Sequence, residues 1–201
     1  MPVQDVYTRM SEIQSLVDRL SGAPASPAPT TSFESTLASA QAAPTRSTAG
    51  VIAPFGGGSA GARALAVAEA EIGQAETPPG SNDGAAIAKY RSAVAGAYPG
   101  APWCAYFVSW AAAQAGAPIG ANGAGIGSVE GVEAWGRQTG RFLPAGTVPQ
   151  PGDLILFGGR HIGIVESVNA DGSLTTVEGN HGDAVQRVQR SPGEATGYVR
   201  I

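Results

Sequence analysis

From Asp153 to the C-terminus the chain carries five short runs rich in β-branched and aliphatic residues, separated by turn formers, and this block constrains its fold more than any other. The centre of the block is Asn169-Ala170-Asp171-Gly172. Such chemistry between two alternating runs, His161–Val168 and Leu174–Glu178, predicts a β-hairpin. Asp153–Phe157 before it, and Ala184–Arg190 and Gly197–Ile201 after it, complete the set. Between Ala62 and Gln138 the apolar segments instead show helical spacing. Helices are expected over Ala62–Ile72, Ala85–Ala97, Pro102–Ala115 and Ser128–Gln138, with the Gly-rich stretch Ile119–Gly127 as a surface loop. Helices segregated ahead of an antiparallel sheet define an α+β domain.

That domain begins after a change of composition. The first 61 of the 201 residues are rich in Ala, Pro, Ser, Thr and Gly, and the remaining 140 suffice for one domain with a real core. Residues 21–61 are expected to act as a tether, because this composition buries too little apolar surface to offset ordering. Phe33 and Leu37, four apart within it, could form a short docking element. Ahead of the tether, Val3, Val6, Met10, Ile13, Val17 and Leu20 are spaced three and four apart, the seam of an amphipathic helix over residues 1–20. A helix so short is marginal alone in water. It either docks on its own domain or frays, or it engages a protein partner or export machinery.

The domain has 9 Lys/Arg against 12 Asp/Glu and no basic stripe, so nucleic acid is not an expected partner. No run reaches the length of a membrane span, and the N-terminus lacks the continuous apolar core of a Sec signal peptide. The export route is therefore open. The chain contains one cysteine, Cys104, which cannot form an internal disulfide. It opens a helix whose stripe Phe107, Val108, Ala111 and Ala112 is spaced for burial, with Pro102 suited to the first turn. A helix N-terminus favours the thiolate, the nucleophilic form. A lone cysteine is also commonly an inert buried hydrophobe, so the rest of the pattern has to decide.

Two turn geometries were weighed for the hairpin. A four-residue loop sets His161 opposite Asn180, and a two-residue Asp171-Gly172 loop shifts it by two. With side chains alternating, either register leaves His161, Glu178 and Asn180 on one face. That is an imidazole flanked by a carboxylate and an amide, the base and orienter of a catalytic triad. His181 is the rival histidine, expected on the opposite face. A zinc site from Cys104, His161, His181 and Asp183 matches no common cage and would leave no base.

Taken together, Trp103-Cys104-Ala105-x-Phe107-Val108-x-Trp110, Pro151-Gly152-Asp153-Leu154, His161-Ile162-Gly163-Ile164-Val165 and Glu178-Gly179-Asn180 resemble a CHAP domain. These are papain-like cysteine- and histidine-dependent amidohydrolases/peptidases of peptidoglycan, related to NlpC-type hydrolases. Glu76-x-x-x-Gly80-Ser81-Asn82 and Tyr90 also resemble bacterial members. The resemblance spans about Ala62 to Ile201. It implies Cys104 as nucleophile, His161 as general base, Glu178 and Asn180 as orienters of the imidazole, peptidoglycan as substrate, and no cofactor. Some relatives hold calcium in an Asp-rich loop before the cysteine; Tyr90–Trp103 has no acidic residue here, so no metal is expected. Trp103, Tyr106 and Asn82 are candidates for lining the groove, with Trp103 and Tyr106 equally suited to the core. Residues 1–40 loosely resemble N-terminal segments of flagellum-associated wall hydrolases. Two other readings follow from the same residues: an inactive CHAP-like module that binds wall or partner, and a lysin or effector amidase delivered without a Sec signal.

Overall fold

A computed structural model describes residues 58–191 and 193–201. The expected helix over residues 1–20 and nearly all of the tether lie outside the described residues. Four helices precede the main body of the sheet: α1 Ala60–Glu69, α2 Ala85–Arg91, α3 Cys104–Gln114 and α4 Val129–Gln138. Six strands follow: β1 Phe142–Pro144, β2 Leu154–Leu156, β3 Ile162–Val168, β4 Leu174–His181, β5 Ala184–Arg190 and β6 Gly197–Val199. They form one antiparallel sheet in the order β1-β6-β2-β3-β4-β5. The architecture is α+β, as the order of periodicities predicts.

Helix starts follow local chemistry. The Ser59 hydroxyl accepts from the Ala62 N–H, so α1 begins two residues before the expected Ala62. The Ser128 hydroxyl accepts from Gly131 N–H and opens α4. In the Gly-rich stretch after α3, Ala121–Gly123 forms a single 3-10 turn. The buried hydroxyl of Ser109 on α3 anchors this stretch, donating to the Ile126 carbonyl and accepting the Ile126 N–H at 2.8 and 3.0 Å.

The helix α3 is apolar nearly all round, with every residue from Cys104 to Ala112 buried. Such a helix belongs in the middle of a domain. It packs against α1 and α2 on one side and β3 and β4 on the other. Tyr90 from α2 sits at the centre of an aromatic cluster, its ring 5.6 Å from Trp103, 5.1 Å from Phe107 and 5.0 Å from Trp110. The sheet contributes Leu154, Leu156, Ile162, Ile164, Val177, Val185 and Val199 to this core. A smaller cluster of Ile155, Val165, Leu174, Ala195 and Tyr198 covers the other face.

Two irregularities in the sheet were not foreseen. The β3–β4 turn holds five residues, with Val168 opposite Leu174, and a bulge between Val165 and Ser167 then shifts the register so that Ile164 faces Val177. The second lies in β4 between Glu178 and His181, where Asn180 adopts φ +60°. Between them, Gly179 lies so close to α3 that a Cβ there would stand 2.7 Å from Phe107 and 2.8 Å from the Trp103 ring.

Gly179→Ala must therefore push β4 away from α3. It should destabilise the domain by about 1–3 kcal/mol, the usual range for overpacking. Gly193→Ala, where a Cβ meets nothing within 4 Å, should be close to neutral. Urea unfolding of the two variants checks the contrast.

Candidate active site

Cys104 is the first residue of α3. Trp103 precedes it as N-cap with φ −117° and ψ 10°, and no side chain caps the helix. The helix starts two residues later than its Pro102 suggests, and the Trp103 N–H, which has no intrahelical acceptor, donates to Asn180 Oδ1 at 3.1 Å. As a first-turn residue, Cys104 has a backbone N–H without an intrahelical acceptor. Cys104 is 5% exposed.

His161 precedes β3, and its ring bonds Glu178 through Nε2 to Oε2 at 2.7 Å. That leaves Nδ1 as the ring nitrogen for Cys104. Burial works against charging this imidazole, but the neighbouring Cys104 and the hydrogen bond to Glu178 prevail and raise its pKa to about 9. Phe157 stacks on the ring with centroids 5.8 Å apart and planes at 25°.

Glu178 is fully buried. Burial would raise its pKa, yet bonds from His161, Arg190 and Thr176 hold it down at about 2. The Arg190 Nε donates to Oε1 at 2.8 Å and its Nη2 to Oε2, while the Thr176 hydroxyl donates to Oε1 at 2.6 Å. Room for the carboxylate comes from Gly163, where a Cβ would lie 2.7 Å from the Glu178 Cγ. The glycine in His161-Ile162-Gly163 thus has a steric reason tied to the carboxylate across the sheet.

Several expectations need correction. Asn180 makes no hydrogen bond to the imidazole. Its left-handed backbone turns the side chain towards α3, where Oδ1 accepts from Trp103 and Nδ2 donates to Glu76 Oε1 and Asn82 Oδ1 at 3.1 and 3.0 Å. The same break in the pleat brings His181 to the Glu178 side, with Nδ1 3.6 Å from Oε2, so strict alternation misplaced both residues. Of the two readings for Trp103 and Tyr106, the structure gives the core, at 0% and 5% exposure. The indole N–H of Trp103 donates to Glu76 Oε1 at 2.9 Å. Asn82 is half-buried, donates its backbone N–H to Glu76 Oε2 at 2.7 Å, and serves the same network.

Residue-level reading missed two groups. Arg190 could have been suspected because a carboxylate at a core-facing strand position needs a cation. Glu76 is 4% exposed and ties together Asn82, Trp103 and Asn180; only the family-like run that begins with it gave a signal.

The ligand atoms of His161, Glu178 and His181 lie within 4.8 Å of one another, a set that could hold a metal ion. It differs from the set weighed from sequence, since it lacks Cys104 and Asp183. Arg190 already occupies both carboxylate oxygens, and a guanidinium there repels a cation. The donors therefore suit a proton relay better than a metal. A pocket of about 540 Å³ opens beside them, lined by Arg160, His161, Asn180, His181 and Arg190 among others.

The two shifts set opposite pH limits. With its pKa raised from 6.5 to about 9, His161 contributes stability that is complete below 6.5 and lost as pH rises through about 9. Glu178, lowered from 4.5 to about 2, contributes stability present above 4.5 and lost as pH falls through about 2. Histidine NMR should show His161 still protonated at pH 8, and Glu178→Gln should lower its pKa. A His161 titrating near 6.5 in the native protein would contradict this electrostatic picture.

Comparison with known proteins adds one finding. No curated protein and no solved structure matches the chain. Residues 96–180, which contain Cys104, His161, Glu178 and Asn180, match the family model described as the CHAP domain, a domain associated with hydrolases and peptidoglycan amidase/peptidase activity. The CHAP-domain match thus covers Cys104, His161 and Glu178, while Glu76 and Arg190, which complete the site, lie outside the matched residues.

Proposed function

We propose that this protein is a cysteine-dependent peptidoglycan hydrolase that cleaves an amide bond of the stem peptide or cross-bridge. The observation that carries the reading is His161, bonded through Nε2 to the buried carboxylate of Glu178 and raised in pKa by Cys104, the first residue of α3. The protonated imidazole offers the positive charge that stabilises a thiolate. The Cys104 sulfur attacks the amide carbonyl carbon. The oxyanion receives the Cys104 N–H, a donor that the helix leaves unused. His161 then gives its proton to the leaving amine, the C–N bond breaks, and a thioester remains. Neutral His161 next takes a proton from water, whose oxygen attacks the thioester and releases the thiolate. Glu178, fixed by Arg190 and Thr176, holds the ring through both half-reactions. This reading places the protein's work on the wall, outside the cytoplasm. Among the described residues no helix is long and apolar enough to cross a membrane.

The low exposure of Cys104 favours a second reading, a wall-binding module without turnover. Reactivity separates the two. Cys104→Ala and Cys104→Ser should abolish muropeptide release from purified wall while leaving the circular dichroism spectrum unchanged. Iodoacetamide should inactivate the native protein and EDTA should not. Wild-type release by either variant would end the cysteine mechanism; sacculus binding without release by the native protein would establish the second reading.

A further inference from the structure

Every described lysine or arginine except one is committed to a partner. Lys89 pairs with Glu71, Arg91 with Asp83, Arg137 with Glu133, Arg187 with Glu166, Arg190 with Glu178 and Arg200 with Asp153. Arg63 and Arg141 donate to the backbone carbonyls of Ala115 and Arg200. Arg160 alone has no hydrogen bond or ion pair among the described residues. It is exposed, directly precedes His161, and lines the same pocket.

The backbone that carries Arg160 is nonetheless held. The Phe157 N–H donates to the His161 carbonyl at 3.0 Å, and the Gly158 N–H donates to the Thr196 hydroxyl at 2.9 Å. Two of the three carboxylates nearby are already paired. Glu178 is taken by His161 and Arg190, and Glu194 by Arg190 and the Ser191 N–H. Glu130 approaches Gly159 but forms no ion pair with Arg160. A fixed backbone with a free guanidinium at a pocket edge is suited to a carboxylate, which Arg can grip through two parallel N–H donors.

We infer that Arg160 is a specificity residue that binds a free carboxylate of the stem peptide while the neighbouring amide lies at Cys104. This rests on the hydrolase reading and adds the substrate group that the pocket selects. Stem peptides carry such carboxylates at the D-isoglutamyl residue and at the C-terminus, and either can be masked as an amide.

The test uses the full chain and soluble muropeptides carrying carboxylate or carboxamide at each of these positions in turn. At one position the native protein should show a KM about tenfold lower for the carboxylate, equal to ~1.4 kcal/mol of binding. Arg160→Gln should raise KM for that substrate to the carboxamide level with kcat little changed, and Arg160→Lys should recover part of the preference. The position that responds identifies the carboxylate. Equal KM for acid and amide at both positions, or a preference that survives Arg160→Gln, would overturn the inference and leave the cysteine mechanism standing. If the native protein turns over none of these peptides, the hydrolase reading fails, and calorimetry on the same peptides still decides: a preference for acid over amide that Arg160→Gln removes supports the carboxylate site, and its absence overturns it.

Discussion

A carboxylate with no exposure to solvent is the interaction on which this site is built. Burying an ionised group is very costly unless it is paired and hydrogen-bonded. Glu178 meets that demand with Arg190, Thr176 and His161. The stabilisation is mutual, because the charge that Arg190 and Thr176 maintain on Glu178 helps keep the His161 ring protonated beside Cys104. Arg190 also lies over Phe157, with its guanidinium carbon 4.3 Å from the ring centroid, and Phe157 stacks on His161. The ring is therefore gripped at its nitrogen and along its face by parts that share one arginine.

Much of the fold was legible because its signals are local. Alternation and the Asn169–Gly172 turn located five strands to within a few residues, and helical spacing located four helices. The sixth strand, β1, escaped because three residues ending in Pro144 carry no periodicity, and an edge strand gains its definition from pairing with β6. Of the site, the sequence revealed Cys104 at a helix start and His161 on the face of Glu178. It could not reveal the path of β4 beyond Glu178, because a left-handed Asn180 breaks the alternation on which the reading depended. The error was symmetrical, moving Asn180 off the imidazole and His181 towards it.

The two glycines of the His161-Ile162-Gly163 and Glu178-Gly179-Asn180 runs explain why such short runs are informative. Gly163 makes room for the Glu178 side chain, and Gly179 lets Phe107 and Trp103 approach β4. Both remove a Cβ where the histidine strand, the glutamate strand and the cysteine helix converge, so the spacing of Cys104, His161 and Glu178 is set by what is missing between them.

Glu76 has a consequence for the order of events in folding. It joins residues separated by 27 and 104 positions along the chain, since Trp103 and Asn180 both donate to the same carboxylate oxygen. Contacts so distant in sequence carry a large loop-closure entropy and form only once both segments are in place. The segment leading into Cys104 thus takes its final shape when the C-terminal strands have docked. A chain still emerging from synthesis carries the thiol without the frame that aims it, so competence would arrive with completion of the domain as a whole.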